Sequence, residues 1–390
     1  MNGFLFIKSK KWSNAIYAVI FIHTFIYTII YSGNYSNSLV TKFNTTEDYP
    51  EQKAWNKFWH NFSLFKVSPL KFTALPSTDL FLINESKIHK RYCHGGSDKA
   101  SIYILALIIS SWTNFHARQR VRETWAFSGS ISEANRTHYI RHVFLVGQAP
   151  SYNSTLSKQE ILISQNKLES EIESFQDIVG ANFIDNYANL TYKTMTGIAF
   201  ALMEGHRNKN SPLFESSCFK KYLLKIDDDT LPNLKYLMKT LVNYHKNPMI
   251  NKNSVSRQPS VSFPVFICKV AHNWLPIRSP EHKNFLSPSD YPPEKLMPFC
   301  PGAAYLVSYD LKTLENMCNT SRFTKYIANE DVYVTGMLSE LLNISLIDMG
   351  EYYSNMDSYT LKEKSEKYMF STHIKDDYSY KNIWKNIESR

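Results

Sequence analysis

The chain has 390 residues, enough for one large α/β domain with additional segments, and its 43% hydrophobic content is sufficient for a sizeable core. The net charge of +9 is unevenly spread, because residues 1–95 carry 11 Lys and Arg against 5 Asp and Glu, and the rest of the chain contributes only +3. The positive excess lies largely outside the region expected to fold, and no nucleic-acid partner is expected.

The first predicted element is a membrane-spanning signal anchor at residues 13–32. This segment has no charged side chain, and Lys8, Lys10 and Lys11 precede it. Its length suits a bilayer, and the flanking positive charge places residues 1–12 in the cytosol and the rest of the chain in the lumen. A cleaved signal peptide is the alternative, but the apolar run is long for one and lacks a small-residue cleavage site.

Residues 33–98 are predicted to form a lumenal stem, because they show little hydrophobic periodicity. Aromatic side chains within it, such as Trp55, Phe58 and Trp59, would allow part of the stem to dock on the folded domain. Nine Asn-x-Ser/Thr sequons follow the anchor and none precedes it, as expected for a chain exposed to the glycosylation machinery.

The five cysteines form no CxxC pair, so their spacing does not indicate a metal knuckle. In an oxidising lumen we expect disulfide pairs among Cys218, Cys268, Cys300 and Cys318, with Cys93 left over. The connectivity stays open at this point.

Residues 99–390 have the hydrophobic pattern of a folded domain, in which apolar runs of strand length alternate with segments of helical periodicity. The predicted elements are a strand at 102–109, a helix at 118–125, a strand at 142–147, a helix at 156–175, an edge strand at 178–184, a helix at 194–206, a strand at 222–226, a helix at 234–244, and later strands at 261–270 and 304–308. This alternation predicts an α/β fold with a Rossmann-like, doubly wound and mostly parallel sheet.

A run of three carboxylates, Asp227-Asp228-Asp229, directly follows the apolar strand at 222–226. Ligands of open α/β sheets bind at the carboxyl ends of strands, and carboxylate oxygens suit hard divalent cations that hold phosphates. The triplet therefore predicts a site for a metal and a nucleotide diphosphate. The alternative is an acidic turn before a helix, where negative charge is favourable in any case.

Six segments follow one another in an order that is typical of one enzyme family. They are Arg118-Gln119-Arg120-Val121-Arg122-Glu123-Thr124-Trp125, residues 144–147, residues 185–194, the Asp227–Asp229 triplet, Cys300-Pro301-Gly302-Ala303-Ala304-Tyr305, and Glu330-Asp331-Val332. Together they resemble the β-1,3-galactosyltransferase and β-1,3-N-acetylglucosaminyltransferase family, glycosyltransferase family 31, over roughly residues 100–350. The resemblance implies a GT-A fold, a UDP-sugar donor, inverting transfer to an acceptor hydroxyl, and manganese as the metal.

By the same resemblance, Asp229 is the first metal ligand and His373 the second. Asp228 is expected near the metal or the ribose, and Asp227 is expected to orient the loop. Imidazole suits manganese moderately well, although His373 can also be read as an ordinary surface histidine.

The resemblance makes Asp331 the catalytic base, which would take the proton of the acceptor hydroxyl. The alternative is a helix start capped by Asn329, in which Glu330 and Asp331 suit the first turn. The two readings are compatible, with Glu330 structural and Asp331 catalytic.

Three cations, Arg118, Arg122 and Lys193, fall in the motifs on the donor side and are expected to neutralise the diphosphate leaving group. The alternative role for these three residues is to form salt bridges at the surface of helices. Trp125 and Tyr187 are expected to pack in the core.

The chain departs from the family pattern at Arg120, Ala126, Ala303 and Ala304, where smaller residues are common. Methyl groups beside a sugar would narrow the site or restrict the backbone. These departures leave the donor sugar open.

The leading prediction is a Golgi hexosyltransferase, a single-pass type II membrane protein that transfers galactose from UDP-galactose to a glycan on a glycoprotein or glycolipid. A UDP-N-acetylglucosamine-dependent enzyme and a catalytically silent glycan-binding relative are the alternatives. A structural glycoprotein tethered to the membrane leaves the order of the motifs unexplained. The stem and Cys93 allow a homodimer.

Overall fold

A computed structural model describes residues 50–63, 101–127, 129–133, 136–150, 156–207, 219–246, 264–354 and 367–389. The predicted anchor at 13–32, most of the predicted stem, Cys93 and Cys218 lie outside these residues. In the described part of the chain, no helix has the length and apolar character that crossing a bilayer requires.

The helices and strands are, in chain order, α1 (Pro50–Ser63), β1 (Ser101–Ile109), α2 (Phe115–Arg122), β2 (Ser130–Glu133), β3 (Arg136–Gln148), α3 (Lys158–Phe175), β4 (Ile178–Ile184), α4 (Leu190–Arg207), β5 (Phe219–Asp227), β6 (Leu231–Pro232), α5 (Leu234–Lys246), β7 (Val265–Cys268), β8 (Ala304–Ser308), α6 (Leu311–Ser321), a π-helical stretch (Val332–Met337) continuing into α7 (Leu338–Leu341), β9 (Ser345–Asp348), β10 (Tyr353–Ser354), β11 (Phe370–Ser371) and α8 (Asp377–Glu388). Of the predicted strand at 261–270, residues 261–263 lie outside the described residues, and the described part contains β7. Helix α2 ends at Arg122, before Trp125.

The central sheet has the strand order β2-β3-β1-β5-β8-β7-β9, with β4 beside β3. The pairs β1–β3, β1–β5, β3–β4 and β7–β9 are parallel, whereas β2–β3, β5–β8 and β7–β8 are antiparallel. The prediction of an α/β fold with a mostly parallel central sheet is confirmed. A small second sheet, β10-β11-β6, lies beyond the end of β5.

Strand β1 is buried on both faces of the sheet, because all nine of its residues are buried. Successive side chains of a strand point to opposite faces. Accordingly, Leu105 and Leu107 join one hydrophobic cluster, with residues of α1, α4 and α6, and Ile104 and Ile108 join the other, with residues of α2, α5 and α8. A continuous apolar run is what a strand buried on both faces requires.

Helix α1 docks on the first of these clusters, although it lies in the range predicted as stem. The side chain of Trp55 is fully buried, and its Nε1 donates to the carbonyl of Ser321 at 2.9 Å. Its ring centroid lies 5.0 Å from that of Tyr192 and 5.6 Å from that of Tyr333. The expectation that the aromatic residues of the stem can dock is therefore confirmed for Trp55.

Two cysteines whose pairing the sequence left open are joined, because Cys268 and Cys300 form a disulfide bond. This bond closes the segment between β7 and β8 at its base. Cys318 is a buried free thiol, and burial raises its pKa to about 12. The thiol is therefore unionised and unreactive near neutral pH.

Candidate active site

The Asp227–Asp229 triplet lies where the sequence predicts it, at the carboxyl end of β5. Ile109, the last residue of the parallel strand β1, is paired with Asp227. The amide of Asp228 donates to the carbonyl of Ile109 at 3.2 Å, and the amide of Asp227 donates to the carbonyl of Ala303 at 3.0 Å. The triplet is thus held between the ends of β1 and the start of β8, at the sheet edge where ligands of open α/β sheets bind.

Asp227 is held by a lysine that the sequence reasoning overlooked. Lys225, two residues earlier in β5, places its Nζ 2.7 Å from the Oδ1 of Asp227. Burial raises the pKa of Asp227 to about 6, although the charge of Lys225 opposes this shift. A charged residue within a buried strand is uncommon, and this is the signal that could have drawn attention to Lys225.

Asp228 is fixed from both sides by residues of the α2 region. Its Oδ2 accepts from the Nδ2 of Asn114 at 2.8 Å, and its backbone carbonyl accepts from Nη2 of Arg120 at 3.0 Å. Arg120 also pairs with Asp377 at 2.7 Å and lies 4.4 Å over the ring of Tyr380. The side chain of Arg120, which departs from the family pattern, therefore connects the triplet with α8.

Asp229 faces His373, as the resemblance implies. The Nδ1 of His373 lies 3.8 Å from the Oδ2 of Asp229, with 65% and 29% of the two side chains exposed. The interaction with the neighbouring carboxylate of Asp229 raises the pKa of His373. Burial acts to raise the pKa of Asp229, but contact with His373 holds it below its ordinary value.

The pair of Asp229 and His373 has the chemistry of a substrate-bridged metal site. Among the described residues there is no cluster of three or more His, Cys, Asp or Glu side chains that could hold a metal by itself. Ions that act on phosphates are commonly held by one or two protein ligands, with phosphate and water completing the coordination. A carboxylate and an imidazole fit manganese in such a site. The manganese site itself stays a prediction.

Asp331 lies at the start of the π-helical stretch. Its Oδ1 accepts from the amide of Val332 at 2.9 Å, and its Oδ2 accepts from the amide of Gly302 at 3.2 Å. Burial, and then the charge of Glu330, raise the pKa of Asp331 to about 7. The carboxylate thus caps its own helix and also has the pKa that suits a general base near neutral pH.

Glu330 is buried beside Asp331 and is held by the strands. The hydroxyl of Tyr305 donates to its Oε1 at 2.6 Å, and the Nζ of Lys225 lies 3.6 Å from its Oε2. A Cβ atom at Gly302 would lie 3.3 Å from the Nζ of Lys225 and 3.4 Å from the Oε2 of Glu330. Glycine at this position therefore leaves room for the charged groups that surround Asp331.

The two arginines predicted on the donor side are held in ion pairs with Glu171 and Asp177. Arg118 is fully buried and donates from Nε and Nη2 to the two carboxylate oxygens of Glu171, at 2.9 and 2.6 Å. Arg122 donates to both carboxylate oxygens of Asp177 at 2.7 Å and from Nη1 to Glu171 at 2.7 Å. These contacts are structural, and the donor role of both arginines stays a prediction.

Lys193 is also buried, with 2% of its side chain exposed. Its Nζ donates to the Oδ1 of Asp185 and to the carbonyl of Ser110, at 2.6 Å in each case. It therefore fixes the segments that follow β1 and β4, whereas its predicted contact with the donor stays a prediction.

Tyr187 does not pack in the core, so this expectation is wrong. Its side chain is 47% exposed, and its hydroxyl donates to the Oδ1 of Asn284 at 2.8 Å. Burial, followed by the charges of Asp331 and Asp227, raises its pKa, so Tyr187 borders the carboxylates. Trp125, in contrast, is fully buried, as expected.

The alanine that departs from the family pattern in β8 does not line the site. Ala304 is 1% exposed, pairs with Ile226, and joins the hydrophobic cluster that α2, α5 and α8 cover. The expectation that its methyl group narrows a sugar site is wrong, because this methyl group is enclosed by core side chains.

Comparison with known proteins identifies the family to which this chain belongs. The family model for galactosyltransferases matches residues 116–350, which is more than half of the chain. This chain belongs to the galactosyltransferase family. Beta-1,3-galactosyltransferase 5 of Homo sapiens is 29% identical over 299 residues, covering 74% of this chain and 77% of its own length. Beta-1,3-galactosyltransferase 1 of Mus musculus is 28% identical over 267 residues, covering 68% and 66%.

The family membership predicted from the motifs is thus confirmed, and the galactosyltransferase family is one of glycosyltransferase enzymes. A solved structure, the apo form of mouse xyloside xylosyltransferase 1, is similar at a TM-score of 0.27 and 11% identity, over 69% of this chain and 94% of that one. This likeness is too low to add to the description of the fold.

Proposed function

We propose that this galactosyltransferase-family protein transfers galactose from UDP-galactose to a glycan hydroxyl in β-1,3 linkage, with inversion at the anomeric carbon, on a GT-A fold. The proposal rests on one observation, which is that a candidate metal-binding pair and a candidate catalytic base occur together at the same edge of the sheet. Asp229 and His373 suit a divalent cation that grips a diphosphate, and Asp331 has a pKa of about 7, suited to a base. The names of the relatives favour galactose as the sugar.

On the donor side, Asp229 and His373 would hold manganese, which supplies positive charge to the diphosphate as the leaving group develops. Asp228 lies in the same turn, with Asn114 and Arg120 fixing it, and is suited to contact the ribose or the metal. Asp227 holds the turn through its contact with Lys225.

On the acceptor side, Asp331 would accept the proton of the acceptor hydroxyl while the hydroxyl oxygen attacks the anomeric carbon. The new glycosidic bond forms as the bond from that carbon to the diphosphate oxygen breaks, and UDP leaves with the bonding electrons. Attack from the face opposite the leaving group inverts the configuration, and Asp331 ends the step protonated. One base is sufficient for such a transfer.

The cellular setting belongs to the same proposal. A signal anchor at 13–32, the sequons that follow it, and the family favour a Golgi membrane protein with a lumenal catalytic domain acting on glycoprotein or glycolipid glycans.

The test uses the full chain in detergent with manganese, either UDP-galactose or UDP-N-acetylglucosamine, and a panel of glycan acceptors. Asp229→Asn and Asp331→Asn variants are assayed beside it. We expect transfer of galactose that both variants lose. Transfer from UDP-N-acetylglucosamine alone would replace the donor, whereas manganese-dependent UDP binding without transfer to any acceptor would favour the silent relative. A folded protein that does not bind UDP would overturn the proposal.

A further inference from the structure

Lys225 joins three segments that carry the site. Its Nζ lies 2.7 Å from the Oδ1 of Asp227 at the end of β5, donates to the carbonyl of Gly302, and lies 3.6 Å from the Oε2 of Glu330. Gly302 in turn donates its amide to the carboxylate of Asp331. A single ammonium group therefore connects the donor-side turn with the loop and helix start that hold the proposed base.

The surroundings keep this ammonium group charged. Burial acts to lower the pKa of Lys225, but Asp227 and Glu330 outweigh it and raise the pKa above its ordinary value. Removing one partner from a buried ion pair leaves the other charge without compensation, which is strongly unfavourable. The cluster is therefore stable as a unit, and the position of each carboxylate depends on Lys225.

Direct contact of Lys225 with a substrate is not favoured, because only 5% of its side chain is exposed. Its ammonium group is enclosed by the carboxylates of Asp227 and Glu330 and the carbonyl of Gly302. A cation that neutralises a phosphate has to face the phosphate, and Lys225 faces carboxylates. Its part in the reaction is therefore exerted through Asp331 and Asp227.

We propose that Lys225 is a positioning residue, which fixes the Asp227 turn against the Gly302 loop so that the bound donor and the carboxylate of Asp331 meet in one arrangement. This inference rests on the proposed transfer reaction. The charge of Lys225 also favours the ionised form of Asp331, which is the form that accepts a proton.

The charged groups around Asp331 predict opposite shifts of its pKa when Lys225 or Glu330 is replaced. A residue that only packs against its neighbours would not produce such shifts. Glu330, its chain neighbour, disfavours the ionised carboxylate, whereas Lys225 from β5 and the amides of Val332 and Gly302 favour it. Tyr187, on which the charge of Asp331 acts, stays neutral near pH 7 because its pKa is raised. Lys225 and Glu330 therefore shift the pKa of Asp331 in opposite directions.

The test compares Lys225→Met with Glu330→Gln in the full chain, by measuring kcat/KM against pH. Activity of the parent should rise as pH increases through about 7, when Asp331 ionises. We expect the rise to move to higher pH in Lys225→Met and to lower pH in Glu330→Gln. Turnover at the pH optimum should also fall in Lys225→Met, by about 100-fold, because misplaced reacting groups cost rates of that order.

Two further variants keep the result interpretable if Lys225→Met does not fold. Lys225→Gln retains hydrogen bonding without the charge and should shift the pH profile in the same direction as Lys225→Met. Lys225→Arg retains the charge, so its profile should stay near that of the parent while its turnover falls. Lys239→Met removes a lysine from an exposed position of α5 and is the matched control, so its pH profile and turnover should equal those of the parent.

The outcomes separate this inference from the proposed function. A parent protein without transfer activity contradicts the proposed function and is seen before any variant is compared. If the parent is active, an unchanged profile and turnover in Lys225→Gln would overturn the role of Lys225, as would shifts of the same sign for Lys225→Gln and Glu330→Gln.

Discussion

His373 and Asp229 meet across the site, with Nδ1 of the histidine 3.8 Å from Oδ2 of the aspartate. The contact is held by the backbone, because the amide of Ile374 donates to the carbonyl of Asp229 at 2.8 Å. His373 itself adopts a left-handed conformation, with a φ of 63°. Such a conformation is uncommon outside glycine, and its presence beside the triplet fits a functional constraint on this turn.

Loss of the imidazole should therefore weaken metal-dependent nucleotide binding. We expect His373→Ala to reduce manganese-dependent UDP affinity by on the order of 100-fold, a loss at the upper end for disturbed metal sites. Titration calorimetry with and without manganese measures this effect. His206→Ala, an exposed histidine on α4, is the matched control and should bind UDP as the parent does. Equal affinities for His373→Ala and the parent would remove His373 from the metal site.

Asp331→Asn should separate chemistry from donor binding. Removal of a general base typically costs about 100- to 10,000-fold in rate, while the metal pair on the donor side is left intact. We therefore expect loss of transfer with nearly unchanged UDP affinity. Glu340→Gln, an exposed carboxylate on α7, should transfer normally. Loss of UDP binding in Asp331→Asn would place Asp331 on the donor side.

The same substitution should stabilise the folded protein at alkaline pH. Burial and Glu330 raise the pKa of Asp331 to about 7, whereas an exposed aspartate titrates at about 4. Between these values the folded state binds a proton that the unfolded state has released, so the free energy of unfolding falls as pH rises through this window. Asp331→Asn should thus raise the melting temperature more at pH 8 than at pH 4, whereas an equal change at both pH values would contradict the raised pKa of Asp331.

Trp55→Ala should destabilise the whole domain, although Trp55 lies in the range predicted as stem. Its indole is fully buried against Tyr192 and Tyr333, and truncating such a side chain costs about 3–5 kcal/mol in the free energy of unfolding. Denaturant unfolding measures the loss. Lys57→Ala, on an exposed position of the same helix, should change little. A change below about 1 kcal/mol in Trp55→Ala would show that α1 contributes little to the domain.

Gly302→Ala should impair transfer more than folding. The new methyl group would lie 3.3 Å from the Nζ of Lys225 and 3.4 Å from the Oε2 of Glu330, so the ammonium group of Lys225 must move by a few tenths of an ångström. Gly180→Ala is the matched control, because its nearest contact would be an ordinary 3.7 Å to Val146. We expect kcat to fall in Gly302→Ala alone, with a melting temperature close to that of the parent. Normal turnover in Gly302→Ala would show that this cluster tolerates displacement.

Much of the fold followed from local patterns in the sequence. The continuous apolar runs of β1 and β5 identified strands buried on both faces, and the carboxylates after β5 marked the sheet edge where ligands bind. The order of short motifs identified the family. These signals can be recognised in the sequence because each depends on residues that are close together along the chain.

The tertiary structure determined which charged side chains form ion pairs, and the sequence did not predict these partners. Arg118 and Lys193 looked like donor-side cations, yet each is buried with its own carboxylate, whereas Lys225 joins the triplet to the base. A buried charge requires a partner, but that partner can come from any element packed nearby. The sequence by itself therefore determined the long buried strands such as β1 and β5, the triplet and the family, but not the short strands β2, β9, β10 and β11. Only packing decided that α1 belongs to the core and that Lys225 connects the two halves of the site, because both depend on contacts between residues far apart along the chain.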